Sequence, residues 1–216
     1  MSLLIFDLDG TLIDSRLDLV HAVNSTREHA GLAPIEPELI YSYVGDGAPV
    51  LVRRAMGPDA TDHDVSKALG FFLDYYRHHA LDYTTLYPGV PDSLRRLHNA
   101  GEKLAILTNK PVRISNLILE GLGIAPLFFQ VFGGNSFPQK KPDPIGINTL
   151  RAEAKSAPED TWMVGDSHVD IRTARNAGVH ACGVTWGFQP ETLRDVPPDL
   201  LIDRMEEVAD RFTQVR

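Results

Sequence analysis

The segment LLIFDLDGT, Leu3 to Thr11, decides how the rest of the chain is arranged. Its apolar run from Leu3 to Leu8 is short and broken only by Asp7, the pattern of a strand buried on both faces. Asp9 and Gly10 then end the run, and glycine permits a sharp turn there. A strand that finishes on two carboxylates carries its polar groups at its C-terminal tip. In open parallel sheets ligands bind at that tip.

Working outward, similar apolar runs occur at Leu104 to Leu107, Gln130 to Phe132, Trp162 to Val164 and Ala181 to Val184. Helical stretches separate them: Asp92 to Ala100 before Gly101, Val112 to Leu122 before Gly123, Ile145 to Ala154, and Asp170 to Ala177 before Gly178. Glycine just past a helix is the expected stop. Strand and helix in alternation imply parallel strands joined by crossovers, hence a doubly wound α/β, Rossmann-like core with helices on both faces. Residues 15–87 break the alternation, with helix-compatible sequence at Leu17 to Ala30 and Val65 to His79 and no strand-like run. The expectation is a core of residues 1–14 and 88–216 with a helical cap, 15–87, inserted after the first strand.

Composition narrows the function classes. The net charge of -8 and the scattered basic residues give no footing for a phosphate backbone, so no nucleic-acid partner is expected. Cys182 is the only cysteine, which excludes an intrachain disulfide and a cysteine-built metal site and fits a reducing cytoplasm. The N-terminus lacks the pattern of a signal peptide, and nothing reaches membrane-spanning length. The expectation is a cytoplasmic protein without a membrane partner, a monomer or homodimer.

Three segments put chemistry at the expected strand tips: Asp7 to Thr11, Thr108-Asn109-Lys110-Pro111, and Gly165-Asp166 with Asp170 beyond; a fourth, Lys140-Lys141-Pro142-Asp143-Pro144, supplies positive charge just before a helix. If Asp7, Asp9 and Asp166 converge, each pair about 4 Å apart repels by roughly 4 kcal/mol at an effective dielectric near 20, so a counterion is needed. Oxygen-only ligands favour Mg²⁺, and none of the eight histidines shows a paired zinc spacing. A carboxylate at the tip, Asp7, can attack phosphorus. Asp9 can protonate the leaving oxygen and then activate water. Thr108 and Lys141, with Asn109 beside them, can hold phosphoryl oxygens, where most catalysis of phosphoryl transfer resides. Asp166 would hold the metal and Asp170, four residues on, would orient Lys141 or the metal's surroundings. In the expected cap, Gly45-Asp46-Gly47 can bring backbone N–H groups to a substrate. Arg53 and Arg54 are surface arginines by default, Lys110 and His168 supporting residues, and Trp186 and Phe188 packing groups.

These motifs resemble the haloacid dehalogenase superfamily, whose phosphatases use DxDGT, a Thr or Ser after the second strand, a Lys, and GDxxxD. FDLDGTLIDS, YVGDGA, YPGV, TNKP, KKPDP, VGDS and GVTWG are together most similar to the bacterial phosphoglycolate phosphatases of that superfamily. The resemblance implies Asp7 as nucleophile, and Asp9 as acid/base that also gives its backbone carbonyl to Mg²⁺. It further implies Thr108 and Lys141 as phosphate ligands and Asp166 as metal ligand, acting on a small phosphorylated metabolite. Its other branches remain as alternatives. A halide-removing enzyme is expected to lack the second aspartate. A phosphonate-cleaving one needs a cap lysine, for which only Lys67 is available. A phosphosugar mutase, another small-substrate phosphatase or a pyrophosphatase would keep the same core. A non-enzymatic binding protein would have no use for so many acids together.

Overall fold

The computed structural model describes residues 1–213 of the 216-residue chain. β1 (Leu3–Phe6) leads into β2 (Ile13–Asp14), four helices and β3 (Thr85–Leu86). The helices are α1 (Arg16–His29), α2 (Pro37–Tyr43), α3 (Ala48–Met56) and α4 (Asp62–His79). Helix and strand then alternate as far as β7: α5 (Val90–Asn99), β4 (Lys103–Leu107), α6 (Val112–Gly121), β5 (Gln130–Phe132), α7 (Ile145–Ala154), β6 (Thr161–Gly165), α8 (His168–Ala177) and β7 (His180–Val184), with β8 (Leu200–Ile202) and α9 (Glu206–Thr213) after it.

Six strands form one sheet in the order β5-β4-β1-β6-β7-β8, and every pair is parallel. Side chains alternate across it. Leu3 and Ile5 pack with Ala105, Met163 and Ala181 against Ile147 and Leu150 of α7 and Ile171 and Ala174 of α8. Leu4 and Phe6 face the other way, into the cluster that holds Leu94 and Leu97 of α5, Ile118 of α6 and Val208 of α9. Both faces of the sheet are therefore covered, as the continuous apolar strands require. All four residues of β1 are fully buried, and each such aliphatic or aromatic side chain contributes roughly 1.5–3 kcal/mol to the fold.

The chain leaves β1, builds β4 and β5 on one side, then crosses back to build β6, β7 and β8 on the other. The crevice at the reversal is where such sheets bind ligands. It opens beyond the end of β1, where Asp7 is the next residue.

The segment of α1 to α4 leaves and rejoins the core through the antiparallel ribbon of β2 and β3, with Ile13 opposite Leu86 and Asp14 opposite Thr85. Asp18 at the start of α1 ties the return down, accepting from the backbone N–H of Tyr83 and Thr84 and from the Thr84 hydroxyl at 2.7–3.1 Å. Local signals set the helix starts: Pro37 and Pro49 stand in the first positions of α2 and α3, where a missing N–H is harmless. Thr61 and Asp64 form a reciprocal capping box at α4. No helix among the described residues is long and apolar enough to cross a membrane.

Candidate active site

Three strand tips and the loop before α7 supply the polar groups. Lys141 is the pivot: its Nζ lies 2.9 Å from Asp7 Oδ1 and 2.7 Å from Asp170 Oδ1, with the side chain 2% exposed. The second oxygen of Asp170 accepts from the Ser167 backbone N–H at 3.2 Å and its hydroxyl at 2.8 Å, a box that starts α8. Both Asp170 oxygens are thus committed to protein donors, and Asp170 braces Lys141.

Asp166, at the tip of β6, is buried and faces Asp7. Its Oδ2 accepts from the backbone N–H of Phe188 at 2.7 Å and of Gln189 at 3.4 Å. Glycine makes this approach possible: a Cβ on Gly10 or on Gly187 would collide with the Asp166 carboxylate. One oxygen each from Asp7, Asp166 and Asp170 lies within 4.8 Å of the others.

The charges do not cancel. Burial, followed by Asp170 and Asp7, pushes Asp166 up to about 8. Burial also raises Asp7, to about 6, with Lys141 opposing and Asp170 reinforcing the shift. Burial alone would depress Lys141, but Asp170 and Asp7 outweigh it and carry it up to about 12. Asp7 Oδ1 is buried and, despite the nearby ammonium, makes no hydrogen bond. Three carboxylates against one ammonium, all oxygen donors, with one oxygen left short of a partner, suit a hard divalent cation. The donor set therefore fits a divalent cation such as Mg²⁺.

Asp9 points elsewhere. Its Oδ1 accepts from the Ser15 hydroxyl at 2.5 Å, and its two oxygens lie 2.9 and 3.1 Å from Lys110 Nζ. Lys110 is buried and also meets the Tyr76 hydroxyl of α4 at 2.6 Å. Burial lowers and Asp9 and Tyr76 raise the Lys110 pKa, with a net rise.

Asp7, Asp9, Thr108, Asn109, Lys110 and Asp166 line one small cavity of about 50 Å³ with Gly45, Gly47, Leu51 and Phe72 from the helical segment above. The expected glycines thus reach the cavity, whereas Asp46 does not line it. The Asp46 carboxylate pairs with Arg54 at 2.7 Å on the outside, and its carbonyl accepts from Lys140 at 2.8 Å. Arg53 pairs with Asp62, also outside. Asn109 spends its amide N–H groups on the carbonyls of Gly45 and Lys141, at 2.9 and 3.1 Å, leaving its buried Oδ1 without a partner. Lys67 is exposed and lines a different depression from the cavity that Asp7 lines. Two contributions had no sequence signal beyond the GVTWG motif. Phe188 walls the cavity rather than merely packing, and the Gln189 side chain reaches up to the Val44 carbonyl at 2.8 Å.

Residues 4–184 match the family described as haloacid dehalogenase-like hydrolase. The chain belongs to that family. A phosphoglycolate phosphatase of Vibrio vulnificus is 37% identical over 217 residues, covering 97% of this chain and 95% of that protein. Another, of Pseudomonas putida, is 41% identical over 207 residues, covering 93% and 76%. The crystal structure of a predicted phosphoglycolate phosphatase from Haemophilus somnus superposes with a TM-score of 0.93 at 32% identity, covering 99% of this chain and 98% of that one. The resemblance carried by the motifs is borne out, and so are the doubly wound core and the enzyme class. This haloacid dehalogenase-like hydrolase is a phosphoric monoester hydrolase.

Proposed function

We propose that the enzyme hydrolyses 2-phosphoglycolate to glycolate and phosphate through a phosphorylated Asp7, with Mg²⁺ as cofactor. The observation that carries this reading is the convergence, at the reversal point of the sheet, of Asp7, Asp166 and Lys141 beside a cavity that also receives Asp9. The names of the relatives support the choice of glycolate ester.

Asp7 attacks phosphorus while the ester P–O bond breaks, giving an acyl phosphate. Asp9 gives a proton to the departing oxygen, then takes one from the water that attacks the acyl phosphate, so that Asp7 and inorganic phosphate are released. Thr108 and Lys141 hold the phosphoryl oxygens and balance the charge that develops on them. Bound Mg²⁺ would neutralise Asp7, Asp166 and the phosphate oxygens, with the Asp9 backbone carbonyl as a further ligand. The helical segment 15–87 serves as a cap that excludes water during the first step. The contacts of Asn109, Lys140 and Gln189 with the carbonyls of Gly45, Asp46 and Val44 hold it in the closed position. A phosphosugar mutase fits less well, because Leu19, Ala48, Leu51 and Phe72 offer nothing to sugar hydroxyls.

A panel of small phosphate esters and pyrophosphate, assayed for phosphate release with and without Mg²⁺, tests the assignment. Activity confined to larger sugar phosphates, or indifferent to chelation of Mg²⁺, would remove it.

The metal has a readout independent of turnover. Asp7 and Asp166 have folded-state values above the ordinary 3.8, so the metal-free fold holds protons that the unfolded chain releases. Their contribution is complete below about pH 4 and disappears as pH rises through about 8. Metal-free stability should therefore fall across that window. Added Mg²⁺ should raise the melting temperature more near pH 8 than near pH 5, the stabilisation amounting to about 2.7 kcal/mol at a hundred times its dissociation constant. Scanning calorimetry at several pH values, with and without chelator, checks both halves.

A further inference from the structure

The ester oxygen that Asp9 protonates belongs to the leaving group, so whatever surrounds the Asp9 carboxylate inside the cavity faces that group. Lys110 lies there, its Nζ 2.9 Å from Asp9 and 2.6 Å from the Tyr76 hydroxyl. Its side chain is 3% exposed. Among the described residues that line the cavity, Lys110 is the one cationic side chain. Leu19, Leu51 and Phe72 make the neighbouring wall apolar.

The three donor hydrogens of the Lys110 ammonium face both Asp9 oxygens, at 2.9 and 3.1 Å, and the Tyr76 hydroxyl, so a ligand carboxylate in the cavity would take over one of the two Asp9 contacts. The Tyr76 hydroxyl accepts from Lys110 and keeps its own proton to donate. Lysine is almost never buried without a charge to serve. Asp9 serves that need in the free enzyme, yet a plain partner for Asp9 has no reason to sit on the cavity wall, joined to a phenol from the cap. In an ester of a 2-hydroxy acid the carboxylate is one carbon away from the ester oxygen. An ester oxygen placed at Asp9 therefore brings its carboxylate within reach of the same lysine.

We infer that Lys110, supported by Tyr76, binds the carboxylate of the leaving group and thereby restricts the site to small phosphorylated 2-hydroxy acids. This rests on the phosphatase reading above and adds the specificity element to it. Because Tyr76 comes from α4 and Lys110 from the core, the recognition pair is complete only while the helical segment is closed over the sheet. A substrate carboxylate then favours the closed form over the open one.

The test compares kcat/KM for 2-phosphoglycolate with that for ethyl phosphate, which is similar in size but has a neutral leaving group. The native enzyme is expected to prefer the acid. Lys110→Met should reduce the preference ratio at least about tenfold, as expected for loss of a charge-assisted hydrogen bond, chiefly through KM. Tyr76→Phe, which keeps the ring and its packing, should reduce it by about threefold. A role limited to holding Asp9 would lower both substrates alike and leave the ratio unmoved, which overturns the inference. If Lys110→Met does not fold, an unmoved ratio in Tyr76→Phe does the same. A native enzyme that hydrolyses ethyl phosphate as well as the acid overturns this inference and the glycolate assignment together. One inactive on every ester overturns the phosphatase reading itself.

Discussion

Asp7→Asn is expected to remove turnover, lowering kcat by about 10⁴-fold or more, while leaving a protein that folds. The amide has the shape of the carboxylate but cannot form an acyl phosphate, and losing the nucleophile of a covalent mechanism disables every later step. The same change relieves repulsion. Asp7 faces Asp166 and Asp170 in a space with one ammonium, so the neutral side chain should make the metal-free protein at least as stable as the native one. Dead activity combined with undiminished stability is the signature to look for. Phosphate release and a denaturation curve on one sample measure it, and the mass of acid-quenched enzyme reports the phosphorylated intermediate. A variant that retains even a tenth or so of native turnover would show that phosphorus is attacked by something other than Asp7.

Lys141→Met is expected to harm both properties. In the native protein the ammonium holds Asp7 at 2.9 Å and Asp170 at 2.7 Å from a nearly water-free position. Taking one partner from a buried ionic set costs about 3–5 kcal/mol, because the remaining charges stay buried without compensation. Catalysis should fall by roughly 10²–10³ as well, the usual consequence of deleting a donor to developing charge. Lys141 stands above its ordinary 10.5 in the fold, at about 12. Its stabilising effect is therefore whole below about pH 10 and is lost only as pH rises through about 12. Urea titrations at neutral pH should show the full deficit, and added Mg²⁺ should recover part of it by supplying positive charge to the same oxygens. A variant as stable as the native protein without metal would mean that the acids are held apart by other means.

The core was legible because its strands are short apolar runs punctuated by glycine. Ile145 to Ala154 matches α7 at both ends, and the runs at β1, β4, β5, β6 and β7 all stand in the sheet. α8 begins two residues before the expected Asp170, because the Ser167 box recruits His168 and Val169 into its first turn. The ribbon of β2 and β3 has two residues per strand, too few for any periodicity to register. β8 pairs only with β7 at the sheet edge, and its Leu201 is exposed, so three residues gave too faint a pattern.

Asp7, Asp9, Thr108 and Asp166 could be singled out because the spacing of each relative to its strand puts it at a tip, and Lys141 because it stands shortly before a helix. Their neighbours could not. The partners of Lys110 lie 101 and 34 residues away, and the backbone donors to Asp166 come from 22 and 23 residues downstream. Such contacts are created by the folding of distant segments onto one another and leave no local mark. Gly45-Asp46-Gly47 was half legible: the glycines approach the cavity as their freedom allows, while the aspartate between them turns outward to Arg54.

β1 has hydrogen-bonded neighbours on both sides, and even Asp7 contributes its amide, 2.9 Å from the carbonyl of Val164. No edge of that strand can fray toward solvent, so its amides exchange with deuterated water only when the entire core opens. The carboxylate proposed as nucleophile is thus mounted on a strand held from both sides, opposite the helical segment proposed as its cover. If that segment is the cover, warming is expected to loosen it first, making substrate capture the early casualty and leaving Asp7 in place until the sheet itself dissolves.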